Sequence, residues 1–176
     1  MARKSAVGIK FKIVEKDRGM NALFKVIAKK LGVDDPHIRI GVFAEEKGAG
    51  ATRDDGITNV ELAAIHEYGA PEANIPERSF IRSTAVEKRG VYVDMLKKLL
   101  PRVLDGSMEL DRALNIVGAQ MHADVQATVR QGTNLAPLSP ITIARKGSSR
   151  PLIDTGLLLA SLAWQVVYGE RKVTSG

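Results

Sequence analysis

The longest regular pattern in the sequence is a stripe of apolar residues at helical spacing within residues 108–129. Residues three and four apart share one face of an α-helix, so the stripe predicts a long amphipathic helix. A second helical pattern covers residues 79–104, with Gly90 as a weak point and Pro101 as a kink or break near its end. Residues 105–107 would join them into a helical hairpin. The predicted core stripes are Val86, Val93, Leu96, Leu99, Leu100 and Val103 in the first helix, and Leu110, Leu114, Val117, Met121 and Val125 in the second.

Three segments alternate apolar and other residues, which is the period of a strand with one buried face. They are residues 7–14, 37–43 and 161–168. A further amphipathic helix is predicted for residues 20–31, closed by Gly32. The fold class expected is α+β: a small antiparallel sheet of about three to four strands, packed against the helical hairpin and shorter helices. The length of 176 residues favours one domain spanning the whole chain.

The segment between the second strand and the next helix has the composition of a mobile loop. The loop is expected at about residues 44–57, because residues 44–56 contain glycines and mixed charge but no large apolar side chain. Thr58 and Glu61 then have the spacing of a capping box, which predicts a helix that stops at Gly69. An extended connector containing Pro76 follows. Ser139, before a proline, is expected to cap another short helix.

Composition excludes several function classes. The chain has no cysteine, and its three histidines lack the spacing of zinc ligands, so we expect no metal site and no cofactor. No apolar run approaches the length of a membrane helix, so no membrane contact is expected. The 26 Lys and Arg against 20 Asp and Glu give a net charge of +6, a modest excess. Duplex nucleic acid is one partner that this charge would suit, through Arg130, Arg145, Lys146 and Arg150 if they lie together.

The tripeptide Asp154-Thr155-Gly156 occurs in aspartic proteases, where two such carboxylates share one proton. Too little chain follows Asp154 for the strands and flap of that enzyme class, and the surrounding pattern is mostly helical. We therefore interpret Asp154 as the cap of a short helix over residues 157–162.

The other candidate catalytic groups also lack the additional residues that catalysis would require. His66-Glu67 begins like a zinc protease helix, but position 70 is Ala instead of the second histidine. The nearby carboxylates of Glu61, Glu67, Glu72 and Glu77 are explained by a solvated surface and helix caps, since no nucleophile and orienting group accompany them. The sequence therefore favours a protein that is not an enzyme.

Two stretches resemble known families of tailed bacteriophages. Residues 62–82, LAAIHEYGAPEANIPERSFIR, are similar to the signature of tail completion and neck proteins, in which an alanine-rich helix precedes His-Glu-aromatic-Gly and Ile-Pro-x-Arg-x-Phe. Residues 135–164, LAPLSPITIARKGSSRPLIDTGLLLASLAW, resemble a segment of the related phage virion morphogenesis family. That family often has a basic residue after Asp-Thr-Gly-x-Leu, where this chain has a run of leucines.

The resemblance implies a structural subunit of the virion at the head–tail junction: a neck, head–tail connector, tail completion or tail terminator protein. It implies synthesis in the host cytoplasm and assembly into a homo-oligomeric ring, a hexamer or dodecamer, that contacts other neck and tail proteins. DNA would pass through the ring without sequence-specific binding.

A ring needs contacts between two different faces of the subunit, and two segments are candidates. The first is the signature segment, where Phe80 would fill either a pocket of the neighbouring subunit or the core of its own. The second is the loop at residues 44–57. The candidate interface residues are Tyr68, Ile75, Arg78 and Phe80 in the first segment and Glu45, Lys47 and Arg53 in the loop; His66, Glu67, Gly69 and Thr155 are expected to be structural.

Overall fold

The computed structural model describes residues 7–11, 18–46, 56–132 and 156–176. Helices and strands alternate in the first part of the chain, helices follow in the middle, and a β-hairpin comes last. The elements are β1 (Val7–Phe11), α1 (Arg18–Leu31), β2 (Pro36–Val42), α2 (Asn59–Tyr68), a 3₁₀ turn (Pro71–Ala73), α3 (Ile81–Glu87), α4 (Arg89–Leu104), α5 (Leu110–Gln131), α6 (Leu157–Ala160), β3 (Leu162–Tyr168) and β4 (Arg171–Ser175).

The four strands form one antiparallel sheet in the order β1-β2-β3-β4. The α+β fold class with three to four antiparallel strands is therefore confirmed. In the centre of the sheet Ile40 lies opposite Ile9 on one side and Trp164 on the other. The apolar residues Ile38, Ile40 and Val42 are buried as their alternation predicts.

The edge strand β4 was not among the predicted strands. Its sequence RKVTS is polar and mostly exposed, so it carries no apolar alternation that would identify it. Gly169 (φ 60°) reverses the chain before it, and β4 then pairs with β3. Lys and Arg on an exposed edge strand discourage pairing with other sheets, and Arg171 and Lys172 are both exposed here.

The predicted helical hairpin is α4 and α5, joined by a tight turn. Gly106 adopts φ 82°, and the Asp105 carboxylate accepts a hydrogen bond from the backbone N–H of Ser107 at 2.8 Å. Pro101 does not end the helix, because α4 continues to Leu104. A proline this close to a helix end removes one hydrogen bond and leaves the last turn intact: the Asp105 N–H still bonds the Pro101 carbonyl at 3.0 Å.

The helix predicted over residues 79–104 is divided at Lys88 into α3 and α4. Val86 and Val93 are seven residues apart and would share one face of a continuous helix. Val93 is buried at 8% exposure, whereas Val86 is 75% exposed. The prediction that Val86 belongs to the core is therefore wrong, and the division of the helix at Lys88 is the reason.

The core lies where the apolar stripe of α5 packs on the sheet and on α4. Its α5 members Val117, Met121 and Val125 are buried, as their spacing predicts. Trp164 of β3 lies over Gly118, where a Cβ atom would come within 2.3 Å of the indole. The Trp164 Nε1–H donates to Asn115 Oδ1 at 3.1 Å, which fixes the ring against α5.

Several predicted features lie partly or wholly outside the described residues: residues 12–14, Lys47, Arg53, Ser139, Arg145, Lys146, Arg150, Asp154 and Thr155. Of the Asp-Thr-Gly motif, Gly156 is described, and it precedes α6 with φ 72°. The helix that follows ends at Ala160, earlier than predicted, because Leu162 already begins β3.

The contact between Gly118 and Trp164 gives a test of the core. We expect Gly118→Ala to lower the free energy of unfolding by about 1–3 kcal/mol, because the new methyl group overlaps the indole. Gly90→Ala is the matched control, since Gly90 lies in α4 with no atom within 4 Å of the new Cβ. It should raise the free energy of unfolding by up to about 1 kcal/mol. Urea unfolding of both variants measures the difference, and a Gly118→Ala protein as stable as the wild type would contradict this packing.

Candidate functional site

The signature segment is organised around the carboxylate of Glu67, which is fully buried at the end of α2. One carboxylate oxygen accepts the backbone N–H of Ile81 at 2.9 Å. The other accepts the Ser79 hydroxyl at 2.8 Å and the Arg82 backbone N–H at 3.0 Å. The two N–H groups belong to the first turn of α3 and have no partner within that helix, so Glu67 caps α3 from a distance of 14 residues.

Arg82 closes the cluster from the solvent side. Its Nε–H donates to the Glu67 carboxylate at 3.0 Å, and its Nη2 donates to the Glu67 backbone carbonyl at 2.8 Å and to the Glu77 carboxylate at 2.7 Å. The guanidinium lies over the Tyr68 ring, 4.9 Å from the centroid. The hydrogen bond to Glu67 raises the pKa of Arg82 above its ordinary value. Arg82 is therefore held in one orientation by four contacts.

The connector between α2 and α3 folds back on itself so that these groups meet. Ala70 and Ile75 exchange two backbone hydrogen bonds, at 2.9 and 3.0 Å, around the 3₁₀ turn. Gly69 has φ 74°, and a Cβ there would lie 2.9 Å from the Glu77 backbone nitrogen, so this position requires glycine. The Arg78 N–H donates to the His66 carbonyl at 2.7 Å, which returns the chain to the end of α2.

The start of α2 is fixed by the predicted capping box. The Thr58 hydroxyl accepts the Glu61 N–H at 3.2 Å, and the Glu61 carboxylate accepts the Thr58 N–H at 2.9 Å. His66 is buried, and Pro76 is exposed in the connector. The helix that carries Glu67 is thus anchored at both ends.

Two of the four predicted anchors in the signature segment are not available to a partner. Phe80 is fully buried, so the intramolecular alternative applies, and its carbonyl accepts the Thr84 hydroxyl at 2.6 Å. Arg78 is also buried at 5% exposure, and that burial lowers its pKa. Phe80 therefore follows the intramolecular alternative, and the interface role of Arg78 stays a prediction that its burial does not favour. Tyr68 is 54% exposed and Ile75 is partly buried, so both remain accessible.

One exposed residue on the same helix as Arg82 was expected in the core instead. Val86 lies one helical turn after Arg82 on α3, so the two side chains share a face of that helix. We define the Tyr68 surface as Tyr68, Glu77, Arg82 and Val86. It combines two exposed apolar side chains with an arginine whose position is already fixed.

Of the predicted loop residues, Glu45 is described and lies in the turn after β2. Gln165 of β3 is fully buried, and its amide nitrogen donates to the carboxylates of Glu45 at 3.1 Å and Glu46 at 3.0 Å. Lys172 also donates to Glu46, at 2.9 Å, and these hydrogen bonds lower the pKa of Glu46. Glu45 thus attaches the start of the loop to the sheet.

Two further polar contacts tie α5 to its neighbours. The Tyr92 hydroxyl of α4 donates to Asp124 at 3.0 Å, and the Thr84 hydroxyl of α3 lies 2.7 Å from that of Thr128. Burial and the Asp124 carboxylate raise the pKa of Tyr92. These partners are distant in sequence and carry no local pattern that could have identified them.

Metal ligands, membrane-spanning helices and phosphate-binding arginines are other features that the described residues could carry. Within those ranges, no group of three or more His, Asp or Glu side chains is placed to hold a metal ion. Among the described helices, none is both long and apolar enough to cross a membrane. Arg130 is exposed and donates to Gln126 at 3.0 Å, while the other three predicted phosphate contacts lie outside the described ranges.

Comparison with models of protein families, with curated proteins and with solved structures finds no match to this chain. The resemblance to phage neck and tail completion proteins stays a prediction.

The Glu67 cluster predicts a large difference between two glutamates that bind the same arginine. Glu67→Gln should lower the free energy of unfolding by about 2–4 kcal/mol. The amide NH₂ group would face N–H and O–H donors that now bind the buried carboxylate, and those donors would lose their acceptor. Glu77→Gln should change it by less than about 1 kcal/mol, because Glu77 is exposed. Urea unfolding measures both values. Equal effects of the two substitutions would show that the cluster does not stabilise the fold as described.

Proposed function

We propose that this protein is a structural subunit of the head–tail junction of a tailed bacteriophage, acting by self-association into a ring and by docking to neighbouring neck and tail proteins. The observation that carries the proposal is that the residues of the phage-like signature fold together as one unit. Glu67, Gly69 and Arg82, all within residues 62–82, are the residues that shape this unit and present Tyr68.

The chemistry of the Tyr68 surface supports a role in protein association. Tyrosine and arginine are enriched among the residues that dominate binding energy at protein interfaces. Arg82 is already held by Glu67 and Glu77, so little conformational entropy is lost when a partner binds. Val86, at 75% exposure, adds apolar area that the isolated chain leaves in water.

A ring is the assembly that suits such a surface in a homo-oligomer. A contact between two different faces can repeat from one subunit to the next. The ring closes when the rotation between neighbouring subunits divides a full turn. A hexamer or dodecamer would leave a central passage for DNA, without base recognition.

A second candidate function is binding of duplex nucleic acid. The observation that favours it is α1, where Lys25, Lys29 and Lys30 are exposed and no acidic residue is present. Phosphate contacts of this kind weaken steeply with salt, because binding releases counterions from the duplex. Retention of a labelled duplex at low salt but not at physiological salt would favour this function over ring assembly.

The proposed function predicts that the purified protein forms a ring. Its mass by light scattering should be a fixed multiple of the 19.0 kDa subunit, and particle images should show a central opening. The assembly should change little between low and physiological salt if apolar anchors dominate it. A protein that stays monomeric at every concentration, with no density at the head–tail joint of virions, would refute the proposal.

The role of Tyr68 can be separated from folding. Tyr68→Ala should lower the free energy of unfolding by at most about 1 kcal/mol, the usual size of an exposed cation–π contact. It should nevertheless raise the concentration needed for assembly by tenfold or more, roughly the effect of losing an interface anchor. Ile116→Ala is the matched control, since Ile116 is an exposed apolar residue on α5 outside the Tyr68 surface. Light scattering over a dilution series measures both variants, and equal effects would exclude Tyr68 as an anchor.

A further inference from the structure

Three side chains on successive turns of α5 form a chain of polar contacts that ends at the sheet. His122, Gln126 and Arg130 are each four residues apart, so they lie on one face of the helix. The Arg130 Nη2 group donates to Gln126 Oε1 at 3.0 Å, and Gln126 Nε2 lies 3.3 Å from His122 Nε2. The same His122 nitrogen lies 3.1 Å from the backbone carbonyl oxygen of Leu162, the first residue of β3. One imidazole nitrogen therefore faces an amide NH₂ group and a carbonyl oxygen at once.

That nitrogen can satisfy only one of its two neighbours at a time. A ring nitrogen of neutral histidine carries either a hydrogen or a lone pair. With a hydrogen, His122 Nε2 donates to the Leu162 carbonyl, and the Gln126 NH₂ group then faces another donor. With a lone pair, it accepts from Gln126, and the Leu162 carbonyl loses this donor. The neutral ring can adopt either arrangement, because its hydrogen can sit on Nε2 or on Nδ1.

Protonation of His122 removes this choice. Both nitrogens of an imidazolium carry hydrogen, so Nε2 donates to the Leu162 carbonyl and can no longer accept from Gln126. Gln126 can then bind the ring only through its amide oxygen, which Arg130 uses. His122 is half-buried and Arg130 is exposed, so water can replace the amide oxygen more readily at Arg130. The amide oxygen therefore turns toward His122.

The groups around His122 set the pH at which this change occurs. Burial lowers the pKa of His122, the Leu162 carbonyl opposes that effect, and the positive charge of Arg130 adds to it. From β3 the ring is faced by that carbonyl and by the Trp164 indole, with 5.3 Å between ring centroids. The ring is therefore protonated at a lower pH than an exposed histidine.

The acidic group nearest to His122 along α5 is already engaged. The two Asp124 carboxylate oxygens accept from the Tyr92 hydroxyl of α4 and from the Gln120 amide, each at 3.0 Å. These donors hold Asp124 toward other partners, so the charge that His122 meets on its own helix is that of Arg130.

We infer that His122 is a proton-controlled switch: its protonation commits Nε2 to Leu162, turns the Gln126 amide and releases Arg130 from the surface of α5. A released guanidinium is a strong ligand for carboxylates and phosphates. Acidification thus gives the end of α5 an available cation, while the imidazolium keeps the start of β3 attached through a charge-assisted hydrogen bond. The switch lies within one chain, so it does not depend on the proposed ring.

The fluorescence of Trp164 reports the protonation of His122. Trp164 is the one tryptophan of the chain, and its indole packs against the imidazole, so a charge on that ring changes the indole emission. A titration of the whole protein from about pH 8 to about pH 4.5 should show one transition, at lower pH than an exposed histidine. His122→Gln should lack the transition, which separates it from titration of His37 or His66.

A double-mutant cycle tests whether His122 and Arg130 are coupled through Gln126. Arg130→Ala should move the transition to higher pH, because a positive charge is removed and the Gln126 oxygen becomes free to bind the imidazolium. In a Gln126→Ala background only the charge effect remains, so the movement should be smaller by about 0.3 pH unit or more, the effect of a weak hydrogen bond.

The matched control for the charge is Arg112→Ala. Arg112 is an exposed arginine of the same helix, ten residues before His122, which is about 15 Å along the helix axis. Its removal should leave the transition nearly unchanged, with or without Gln126.

Three results would overturn the inference. Equal effects of Arg130→Ala with and without Gln126 would show that Arg130 acts on His122 by charge alone. Equal effects of Arg130→Ala and Arg112→Ala would exclude a local contact. A transition that persists in His122→Gln would show that the ring does not titrate as described.

Nitrogen-15 spectra of histidine-labelled wild-type protein test the switch without any substitution in the chain. At neutral pH the His122 ring should populate the form with hydrogen on Nδ1, since Nε2 then accepts from Gln126. A ring with its hydrogen on Nε2 alone would mean that Gln126 never binds it, and the switch would not exist.

Discussion

A carboxylate taken out of water must have its charge compensated by donors, and this requirement shapes the middle of the chain. Glu67 is fully buried and obtains its donors from residues 12 to 15 positions later. The connector can supply them only by folding back over the end of α2. The position of α3, the burial of Phe80 and the orientation of Arg82 all follow from that return. A segment that begins as a short, weakly amphipathic helix thus becomes a rigid unit.

The helical hairpin and the sheet supply the support on which this unit rests. Gly118 lets β3 approach α5 closely enough for the Trp164 indole to contact the helix backbone, and Asn115 fixes the indole. At the other end of α5, Tyr92 and Thr84 bring α4 and α3 to the same helix through polar contacts. The long central helix therefore orients both the sheet and the Tyr68 surface.

Much of the fold could be predicted from the sequence because its main elements carry strong periodic patterns. The stripe of α5, the alternation in β2 and the capping box of Thr58 are local signals, and each is found where expected. The polar strand β4 could not be predicted, since it is defined by its pairing with β3 and not by its own residues.

The candidate site was less predictable for the same reason. Glu67 was interpreted as one of several surface or capping glutamates, and its spacing does not reveal burial. The donors that make burial possible come from a segment whose path depends on Gly69 and on the return of the chain to His66. Tyr68 is accessible as expected, and Phe80 takes the intramolecular one of its two expected environments. Val86 was expected in the core and is exposed.

The division of the helix at Lys88 has a consequence for how such a protein can diverge. In an unbroken helix, Val86 would face the same way as the buried Val93, so the core would require an apolar residue at position 86. Here the phase of the helical pattern is reset between α3 and α4, so the outward residues of α3 are free of the packing demands of the hairpin. The surface chemistry at positions such as Val86 can therefore change between related chains while the core that holds α3 in place is conserved.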